Sequence, residues 1–292
     1  MVPVPIDNPA LHQGRLRTTP HVEGQFAAHV YVSLTVNRRS QLYEAIRNIL
    51  SDARVLVPSL NDMWPSKARQ PELHISLSRP IFLRAHQRED FKRAVRNAAK
   101  SQKPYVSHSV QLSPSNYSVH ISFKVSFTTL SELTNDEKTR TFLTMDIGAG
   151  FLEASFQVPL VVSYSSTYQM RNLCEALSPA LRTIRQQEYY PNPMFHASIG
   201  WALLLPPTSS TGSPVSPADP MASAKTPDGI VSSQEFPTIS SIPQEVIAAL
   251  NGQYSGKLSS LKDGIFPVEA VTLKIGKETF VWRLASSNEG AP

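Results

Sequence analysis

The sequence predicts an α+β protein built on antiparallel sheets. Segments in which apolar and polar residues alternate are interspersed with segments whose apolar residues recur every three to four positions, and these two periods indicate strands and helices. Several of the alternating segments are half polar, which is typical of antiparallel sheets with one uncovered face, whereas parallel strands are apolar throughout. No repeat of fixed short period runs through the chain, so a repeat architecture is not expected.

Composition and charge are those of a globular domain. Of the 292 residues, 41% are hydrophobic and 17% are charged, and 28 basic against 23 acidic residues leave a net charge of +5. The hydrophobic content is too high for a wholly disordered chain, and no apolar run approaches the roughly 20 residues of a membrane span. The first 20 residues contain no long apolar stretch, so we expect no secretory signal. The mild positive charge permits an anionic partner without requiring one.

The chain has one cysteine, Cys174. A lone cysteine excludes an intrachain disulfide and also excludes the zinc modules that need several thiolates. Cys174 lies in the apolar helical stretch MRNLCEAL. This setting predicts a small buried hydrophobe, because nucleophilic cysteines need a charged and open environment.

We expect a single domain over residues 25–292, preceded by an irregular N-terminal tail over residues 1–24. A Pro- and Ser-rich insertion at about 206–262 is expected to be disordered. Of the 38 residues from 206 to 243, 8 are Pro and 9 are Ser, and such a segment buries too little apolar surface to offset its ordering entropy. The stretch PQEVIAAL, at 243–250, is one weak helical patch that interrupts or ends this insertion.

The individual elements follow from the two periods. Strands are predicted at 28–34, 73–78, 119–127, 142–147 and 195–205, with a final hairpin that begins near 266 and turns at Gly276 and Lys277. Helices are predicted at 39–52, 86–101 and 166–187, because each carries an apolar stripe at helical spacing. Pro179 is expected to kink or divide the third helix. Twice in the chain, a strand followed by a helix precedes a strand that carries a His-x-Ser motif. This duplication indicates two half-units.

The most informative motif is His-x-Ser on a strand. Residues two apart point to the same face of a strand, so the motif places an imidazole beside a hydroxyl. An imidazole can transfer a proton near neutral pH, and a hydroxyl can donate a hydrogen bond to a phosphate oxygen. With eight histidines in the chain, about one such motif is expected by chance. The chain has three, which begin at His74, His120 and His196.

The pair formed by His74 and His196 is the better candidate for function. Each follows a Pro-containing segment that fixes where its strand begins, and each lies at a comparable place in one of the two half-units. His120 has no such approach, and it lies on a long polar strand face that solvent exposure explains. We therefore interpret His120 as the chance occurrence.

Four segments of the chain carry a resemblance to a known family. They are GRLRTTPHVEGQFAAHVYVSL at 14–34, PELHISLSRP at 71–80, LTNDEKTRTFLTMDIGAG at 133–150 and YYPNPMFHASIGW at 189–201. Together with two His-x-Ser motifs about 120 residues apart, they resemble the two-histidine phosphoesterase superfamily and, within it, the U6 small nuclear RNA phosphodiesterases that process the 3′ end of that RNA. His120 matches no motif of this family.

The resemblance implies a bilobal two-histidine phosphoesterase fold. Two pseudo-symmetric antiparallel sheets with flanking helices would line a central groove, and each lobe would contribute one His-x-Ser motif. The implied activity is 3′–5′ removal of the oligo-uridine end of U6 RNA by transesterification. The 2′-OH of the penultimate nucleotide attacks the adjacent phosphate and leaves a 2′,3′-cyclic phosphate, which some members open to a 3′-phosphate.

The catalytic residues implied by the resemblance are His74, Ser76, His196 and Ser198. The two imidazoles would supply a base and an acid, each contributing about 10²–10⁴ in rate, and the serines would hydrogen-bond the non-bridging oxygens. By family analogy His196 is the base and His74 the acid, although the sequence does not separate these roles. No metal and no cofactor are implied, because the RNA brings its own nucleophile.

The resemblance also implies how the RNA is held. Tyr190 lies six residues before His196, where the family places an aromatic residue that stacks on the terminal base, and Tyr189 is the alternative. Base stacking contributes roughly 1–3 kcal/mol. Three basic residues are candidate contacts to the RNA backbone, although each is individually more often a plain surface charge: Arg79, Lys124 and Arg140.

The expected partner is RNA, with no membrane association, and the protein is expected to be a monomer. A nuclear location is implied by the resemblance alone. Three alternatives stay open: another cyclic phosphodiesterase or RNA end-processing enzyme of the superfamily, a non-catalytic RNA-binding splicing protein, and a metal hydrolase. The sequence contains no HExxH motif, which speaks against a metal hydrolase. Resistance of the activity to a chelator would exclude that alternative.

Overall fold

The computed structural model describes residues 9–15, 22–64, 70–102, 123–148, 166–205 and 236–285. The strands within these ranges are β1 Gln25–Thr35, β2 Asn61–Asp62, β3 Glu72–Ser76, β4 Ile81–Arg84, β5 Phe123–Val125, β6 Phe127–Thr134, β7 Arg140–Ile147, β8 His196–Leu204, β9 Thr238–Ile239, β10 Phe266–Val268, β11 Ala270–Ile275 and β12 Glu278–Arg283. The helices are α1 Gln41–Leu56, α2 Arg88–Ser101, α3 Ser166–Thr183 and α4 Gln244–Ser260.

Ten of these strands form one sheet in the order β12-β11-β1-β3-β8-β7-β6, with β4 also paired to β1 and β2 and β9 paired to β8. Apart from the parallel pair β8–β9, neighbouring strands are antiparallel. The second sheet is the antiparallel pair β5–β10. The expected α+β class with antiparallel sheets is therefore confirmed. The strands of the two predicted half-units meet where β3 pairs with β8, at Ile75 and Ala197.

Alternation along the strands separates a core face from a second face that carries polar groups. In β1 the residues at even positions from Ala28 to Leu34 are buried, while Ala27, His29 and Ser33 are not. The helices pack in two pairs: α2 contacts α3 and the strands β11 and β12, and α1 contacts α4, which lies along β6. The polar face of the central strands is thus left available for a functional site.

Cys174 lies in the core on α3, as its apolar surroundings predict. Burial raises the pKa of its thiol to about 12, so the sulfur stays protonated at neutral pH and is a poor nucleophile. Pro179 was expected to kink or divide this helix, but α3 runs on to Thr183 without interruption. The Thr183 hydroxyl donates to the carbonyl oxygen of Pro179, with 2.9 Å between the oxygens.

The expectation of a disordered insertion at about 206–262 is wrong for its second half. Residues 236–262 contain β9 and the whole of α4, so PQEVIAAL is the start of a 17-residue helix. Pro243 immediately precedes the first turn, where a missing N–H costs nothing. Buried side chains along the helix compensate for its polar composition: Val246, Ile247, Leu250, Tyr254 and Leu258. Residues 206–235 lie outside the described part of the chain.

The expected irregular tail also contains an ordered turn. Residues Pro9–His12 form one turn of 3-10 helix, and Gly14 follows with a positive φ of 81°. A side chain at Gly14 would lie within 3 Å of Leu203 and Phe236, so glycine allows this segment to lie close against β8. The guanidinium of Arg15 sits 4.9 Å above the ring of Trp201.

The remaining predicted elements agree with the structure within a few residues. Part of the strand predicted at 119–127 falls on residues outside the described ranges, and so does His120. The final hairpin turns at Gly276, whose φ of 58° is one that glycine adopts readily. None of the helices in the described part of the chain is both long and apolar enough to cross a bilayer.

Candidate active site

The first His-x-Ser motif lies on β3 with its polar residues turned away from the core. Leu73 and Ile75 are buried, whereas His74 is exposed and Ser76 is half-buried. The strand is held on one side by β1, where Ser33 is opposite His74 and Tyr31 is opposite Ser76. The period of two predicted from the sequence therefore places the imidazole and the hydroxyl on one face.

The second motif lies on β8 and repeats this arrangement. Ala197 and Ile199 are buried, and His196 and Ser198 are half-buried on the opposite face. On the far side, β7 pairs with β8 so that Asp146 is opposite His196 and Thr144 is opposite Ser198.

The pairing of β3 with β8 brings the two motifs together. Ile75 is opposite Ala197, so in this antiparallel pair His74 is next to Ser198 and Ser76 is next to His196. Directly opposite residues have Cβ atoms about 4.5–5.5 Å apart and diagonal ones about 7–8 Å. Because Ile75 and Ala197 point into the core, all four polar side chains point to the other face. Two imidazoles and two hydroxyls therefore lie on one face of the sheet around this pairing.

The His196 ring is oriented by its own loop. Its Nδ1 lies 2.6 Å from the carbonyl oxygen of Met194, and because a carbonyl only accepts, Nδ1 carries the hydrogen. The other nitrogen, Nε2, then has a free lone pair in the neutral ring. Burial lowers the pKa of His196, and this effect outweighs the hydrogen bond to Met194 and the charge of Asp146, which both raise the pKa. The net effect favours a neutral imidazole with Nε2 as acceptor.

The Asp146 carboxylate near His196 is fixed by hydroxyl groups. Ser131 donates to it over 2.7 Å and Thr129 over 3.3 Å, both from the neighbouring strand β6. These bonds hold a negative charge close to the position where His196 would become positive on taking up a proton.

His74 has different surroundings. Its ring stacks on Tyr31 with the ring centroids 4.1 Å apart, and its Nε2 lies 3.4 Å from a carboxylate oxygen of Glu72. The hydroxyl of Ser33 donates a hydrogen bond to that same carboxylate. A protonated His74 therefore has an ion-pair partner within reach of its Nε2.

Ser76 has a partner on the neighbouring strand β1 that lies far from it in the sequence. His29 Nε2 lies 3.1 Å from Ser76 Oγ, although the two residues are 47 positions apart. His29 belongs to the alternating polar face of β1, a pattern visible in the sequence. What the sequence could not supply was the register between β1 and β3 that brings this imidazole to the motif.

The two tyrosines before His196 take different positions. Tyr190 is 38% exposed, and its hydroxyl donates to Asp136 over 2.8 Å. Tyr189 stacks on Phe195 at 6.0 Å and meets the Tyr190 ring edge-on at 5.1 Å. Burial raises the pKa of Tyr189. Tyr190 is thus accessible to a ligand, while Tyr189 packs against it and against the strand end.

The segment TNDEKTRTF forms the turn that supplies Asp136. The side-chain oxygen of Asn135 accepts hydrogen bonds from the N–H groups of Thr139 and Arg140, at 2.9 and 2.8 Å. Lys138 takes a left-handed φ of 52° in the same turn. This compact connection between β6 and β7 places Asp136 within hydrogen-bond distance of the Tyr190 hydroxyl.

The three basic candidates from the sequence are placed differently from one another. Arg79 bonds Asp136 and Gln187, each over 3.0 Å, and its guanidinium lies 3.9 Å from the centre of the Tyr190 ring. Arg140 lies over Phe142 at 5.7 Å. Lys124 is on β5 in the second sheet. Arg79 alone of these three contacts the candidate site, and it does so by fixing Tyr190.

In the described residues, no group of three or more His, Cys, Asp or Glu side chains is arranged to hold a metal ion. The site as described consists of two imidazoles, two hydroxyls and an aromatic ring. These groups can transfer protons, donate hydrogen bonds to an anion and stack on a planar base.

Comparisons with known proteins show which family the chain resembles. A family model described as HVSL, an uncharacterised conserved protein, matches residues 3–282. The protein called U6 snRNA phosphodiesterase 1 in Drosophila melanogaster is 25% identical over 198 residues, which is 68% of this chain and 60% of that protein. Its namesake in Homo sapiens is 27% identical over 202 residues, with 68% and 59% covered.

Among solved structures, Kluyveromyces marxianus Usb1 is similar with a TM-score of 0.47 and 10% identity, covering 88% of this chain and 98% of that one. The chain spans about 60% of the length of the Drosophila and human relatives that it matches.

Proposed function

The chain belongs to the HVSL family, and from that premise we propose that it is a 3′–5′ RNA exonuclease that trims the oligo-uridine end of U6 small nuclear RNA. Its relatives in Drosophila melanogaster and Homo sapiens carry the name U6 snRNA phosphodiesterase 1. The observation that carries the proposal is the Ile75–Ala197 pairing, which gathers both His-x-Ser motifs on one face.

The reaction we propose is an attack by the RNA on its own backbone. The 2′-oxygen of the penultimate nucleotide forms a bond to the adjacent phosphorus while the bond from phosphorus to the 5′-oxygen of the last nucleoside breaks. One imidazole takes the proton from the 2′-OH, and the other gives a proton to the departing 5′-oxygen. The products are a free nucleoside and a shortened RNA that ends in a 2′,3′-cyclic phosphate.

We assign the base to His196 and the acid to His74. A base needs a free lone pair, and the hydrogen bond from His196 Nδ1 to Met194 leaves Nε2 as that acceptor. An acid must carry a proton before the reaction, and the Glu72 carboxylate 3.4 Å from His74 Nε2 offers an ion-pair partner for the protonated ring. Ser76 and Ser198 donate hydrogen bonds to the non-bridging oxygens, where negative charge grows in the transition state.

The terminal base stacks on Tyr190 in this proposal. Its ring is exposed, and it is held on one side by the Arg79 guanidinium and at its hydroxyl by Asp136. A ring fixed in this way offers its remaining face without losing side-chain freedom when the base binds. Tyr189 supports Tyr190 from behind. The preference for uridine would have to arise from polar contacts to the base.

The proposal is tested by incubating the purified protein with a uridine-tailed RNA in the presence of EDTA and reading both product ends by mass. We expect free uridine and an RNA ending in a 2′,3′-cyclic phosphate or, after its hydrolysis, a 3′-phosphate. An RNA with a 2′-deoxy sugar at the penultimate position should resist cleavage. Inhibition by EDTA or cleavage of the deoxy substrate would contradict the proposed chemistry. Binding of RNA without cleavage would indicate a non-catalytic protein.

We further propose that the protein acts as a monomer in the nucleus, where the splicing RNAs would be its substrate. A fluorescent fusion tests the location, and a mass measurement in solution tests the oligomeric state. Exclusion from the nucleus or a stable dimer would contradict these two points and would leave the chemistry to be judged by the RNA assay.

A further inference from the structure

A third imidazole lies on the same face of the sheet as the proposed catalytic groups. His29 is on β1, and its Nε2 is 3.1 Å from the hydroxyl oxygen of Ser76. Tyr31 lies between this ring and His74, with ring centroids 5.2 Å from His29 and 4.1 Å from His74. The reaction proposed above uses two histidines and assigns no role to this one.

His29 is uncharged at neutral pH. Burial is the largest of the causes that lower its pKa to about 4, and the electrostatic influence of His74 and Lys274 adds to it. Lys274 is directly opposite His29 on β11, and Ser76 faces it from β3. A neutral imidazole carries one N–H group, so its hydrogen bond to Ser76 has a definite direction that depends on which nitrogen holds the hydrogen.

Only one of the two directions is compatible with the role of Ser76. If the Ser76 hydroxyl donates to His29, its single hydrogen is used and none is left for a phosphate oxygen. If His29 Nε2–H donates to Ser76 Oγ, the hydroxyl hydrogen stays free to point at the substrate. An anion placed between the two motifs attracts that hydrogen and therefore selects the second direction.

We infer that His29 is a positioning residue that donates a hydrogen bond from Nε2 to Ser76 Oγ and thereby directs the Ser76 hydroxyl at a non-bridging oxygen of the scissile phosphate. This inference rests on the proposed function and adds a residue to it. His29 acts through Ser76 and does not itself touch the reacting atoms. A hydrogen bond accepted at Oγ also polarises the hydroxyl, which strengthens the bond that it donates.

The main test compares two substitutions of His29. His29→Phe keeps an aromatic ring beside Tyr31 but has no donor, and we expect kcat to fall about tenfold with little change in KM, because the lost contact matters most when charge develops. His29→Gln places an amide N–H near the original Nε2 and should restore kcat to within about threefold of the original protein. Equal losses in the two variants would overturn the inference.

A double-mutant cycle asks whether the effect passes through Ser76. Ser76→Ala should lower kcat by about 10²–10³, as for other donors to a developing oxyanion. Adding His29→Phe to Ser76→Ala should then cost almost nothing more, because the hydroxyl that His29 orients is already gone. A full additional tenfold loss in the double variant would show that His29 acts by another route and would contradict the inference.

Two further measurements separate this inference from its alternatives. His86→Phe, at an exposed histidine in the turn Ala85–Gln87, is the matched control and should leave kcat unchanged. Nitrogen NMR of the His29 ring with inorganic phosphate bound should find the hydrogen on Nε2, and a hydrogen on Nδ1 would refute the inference without any activity assay. If the unaltered protein does not cleave RNA at all, the proposed function fails, and the NMR result still reports on His29.

Discussion

At the scale of single residues, the two histidines of the site differ in what holds them. A backbone carbonyl fixes the His196 ring and leaves one nitrogen as an acceptor, whereas His74 lies between an aromatic ring and a carboxylate. Two identical side chains can therefore take opposite parts in one reaction, since their ring nitrogens have different partners. This asymmetry supports the division into base and acid.

The first prediction concerns these two histidines. His74→Ala and His196→Ala should each reduce cleavage of a uridine-tailed RNA by at least about 10²-fold, because each removes one of the two proton-transfer groups. His120→Ala is the control and should leave the rate near that of the original protein. The measurement is the single-turnover rate. Loss of activity in His120→Ala alone would show that the wrong motif has been chosen.

The second prediction concerns the Tyr190 ring. Tyr190→Leu removes the stacking surface and should weaken RNA binding by about 5- to 150-fold, which corresponds to roughly 1–3 kcal/mol. Tyr190→Phe keeps the ring and loses only the hydrogen bond to Asp136, so its effect should be several-fold smaller. Titration of a labelled uridine oligonucleotide measures both. Equal losses in the two variants would indicate that the hydroxyl, and not the ring, holds the RNA.

The third prediction follows from the lowered pKa of His29, about 4 in the folded protein against an ordinary 6.5. Between these values the unfolded chain binds a proton that the folded protein does not, so the free energy of unfolding should fall as the pH drops from about 6.5 to 4. His29 alone contributes up to about 3 kcal/mol, since a tenfold difference in proton affinity is about 1.4 kcal/mol. The lowered pKa of His196 acts in the same direction.

Chemical denaturation of the original protein and of His29→Gln at pH 7 and pH 4.5 measures this contribution. Carboxylates that titrate in the same range affect both proteins alike, so the difference between them isolates His29. The variant should lose less stability on acidification. An identical loss in both proteins would mean that His29 takes up its proton without difficulty when the protein is folded.

The sequence predicts contacts between side chains only where the residues are close together in the chain. A period of two places His74 beside Ser76 and His196 beside Ser198, whatever the rest of the fold. The contact of His29 with Ser76 and the cluster of Arg79, Asp136 and Tyr190 depend on strand register and on where the turn between β6 and β7 lies. Such contacts join residues 47 or more positions apart, and nothing in a local pattern specifies them.

At the scale of elements, α4 is the clearest disagreement between pattern and structure. Its sequence contains two glycines and three serines, and it follows a Pro- and Ser-rich stretch, so composition suggested disorder. The helix packs between α1 and β6, and its Asn251 side chain bonds both the N–H and the carbonyl of Leu130, each over 2.8 Å. Tertiary contacts of this kind outweigh weak helix propensity.

The fourth prediction tests whether α4 is part of the folded domain. Leu250→Ala deletes a buried side chain and should lower the free energy of unfolding by about 2–5 kcal/mol. Gly252→Ala is the matched change on the exposed side, where an added Cβ meets no atom within 4 Å, and it should stabilise the protein by about 0.5–1 kcal/mol. Thermal or chemical unfolding measures both. No effect from Leu250→Ala would mean that the helix does not pack as described.

At the scale of the whole molecule, the junction of β3 and β8 connects fold to function. The strands of both half-units continue into one sheet at Ile75 and Ala197, so each half brings its motif to the same junction in the middle of the sheet. Apolar periodicity identified most of the strands and three of the four helices. It could not predict which two strands would meet, because a buried strand accepts many apolar neighbours.

The most direct test of the paired histidines is cleavage of an RNA whose scissile 5′-oxygen is replaced by sulfur. A thiolate leaves without a proton, so the acid becomes dispensable while the base is still needed. We predict that His74→Ala will cleave this substrate within about tenfold of the unaltered protein, whereas His196→Ala will stay inactive. Rescue of His196→Ala instead, or of neither variant, would contradict the assignment of His196 as base and His74 as acid on one phosphate.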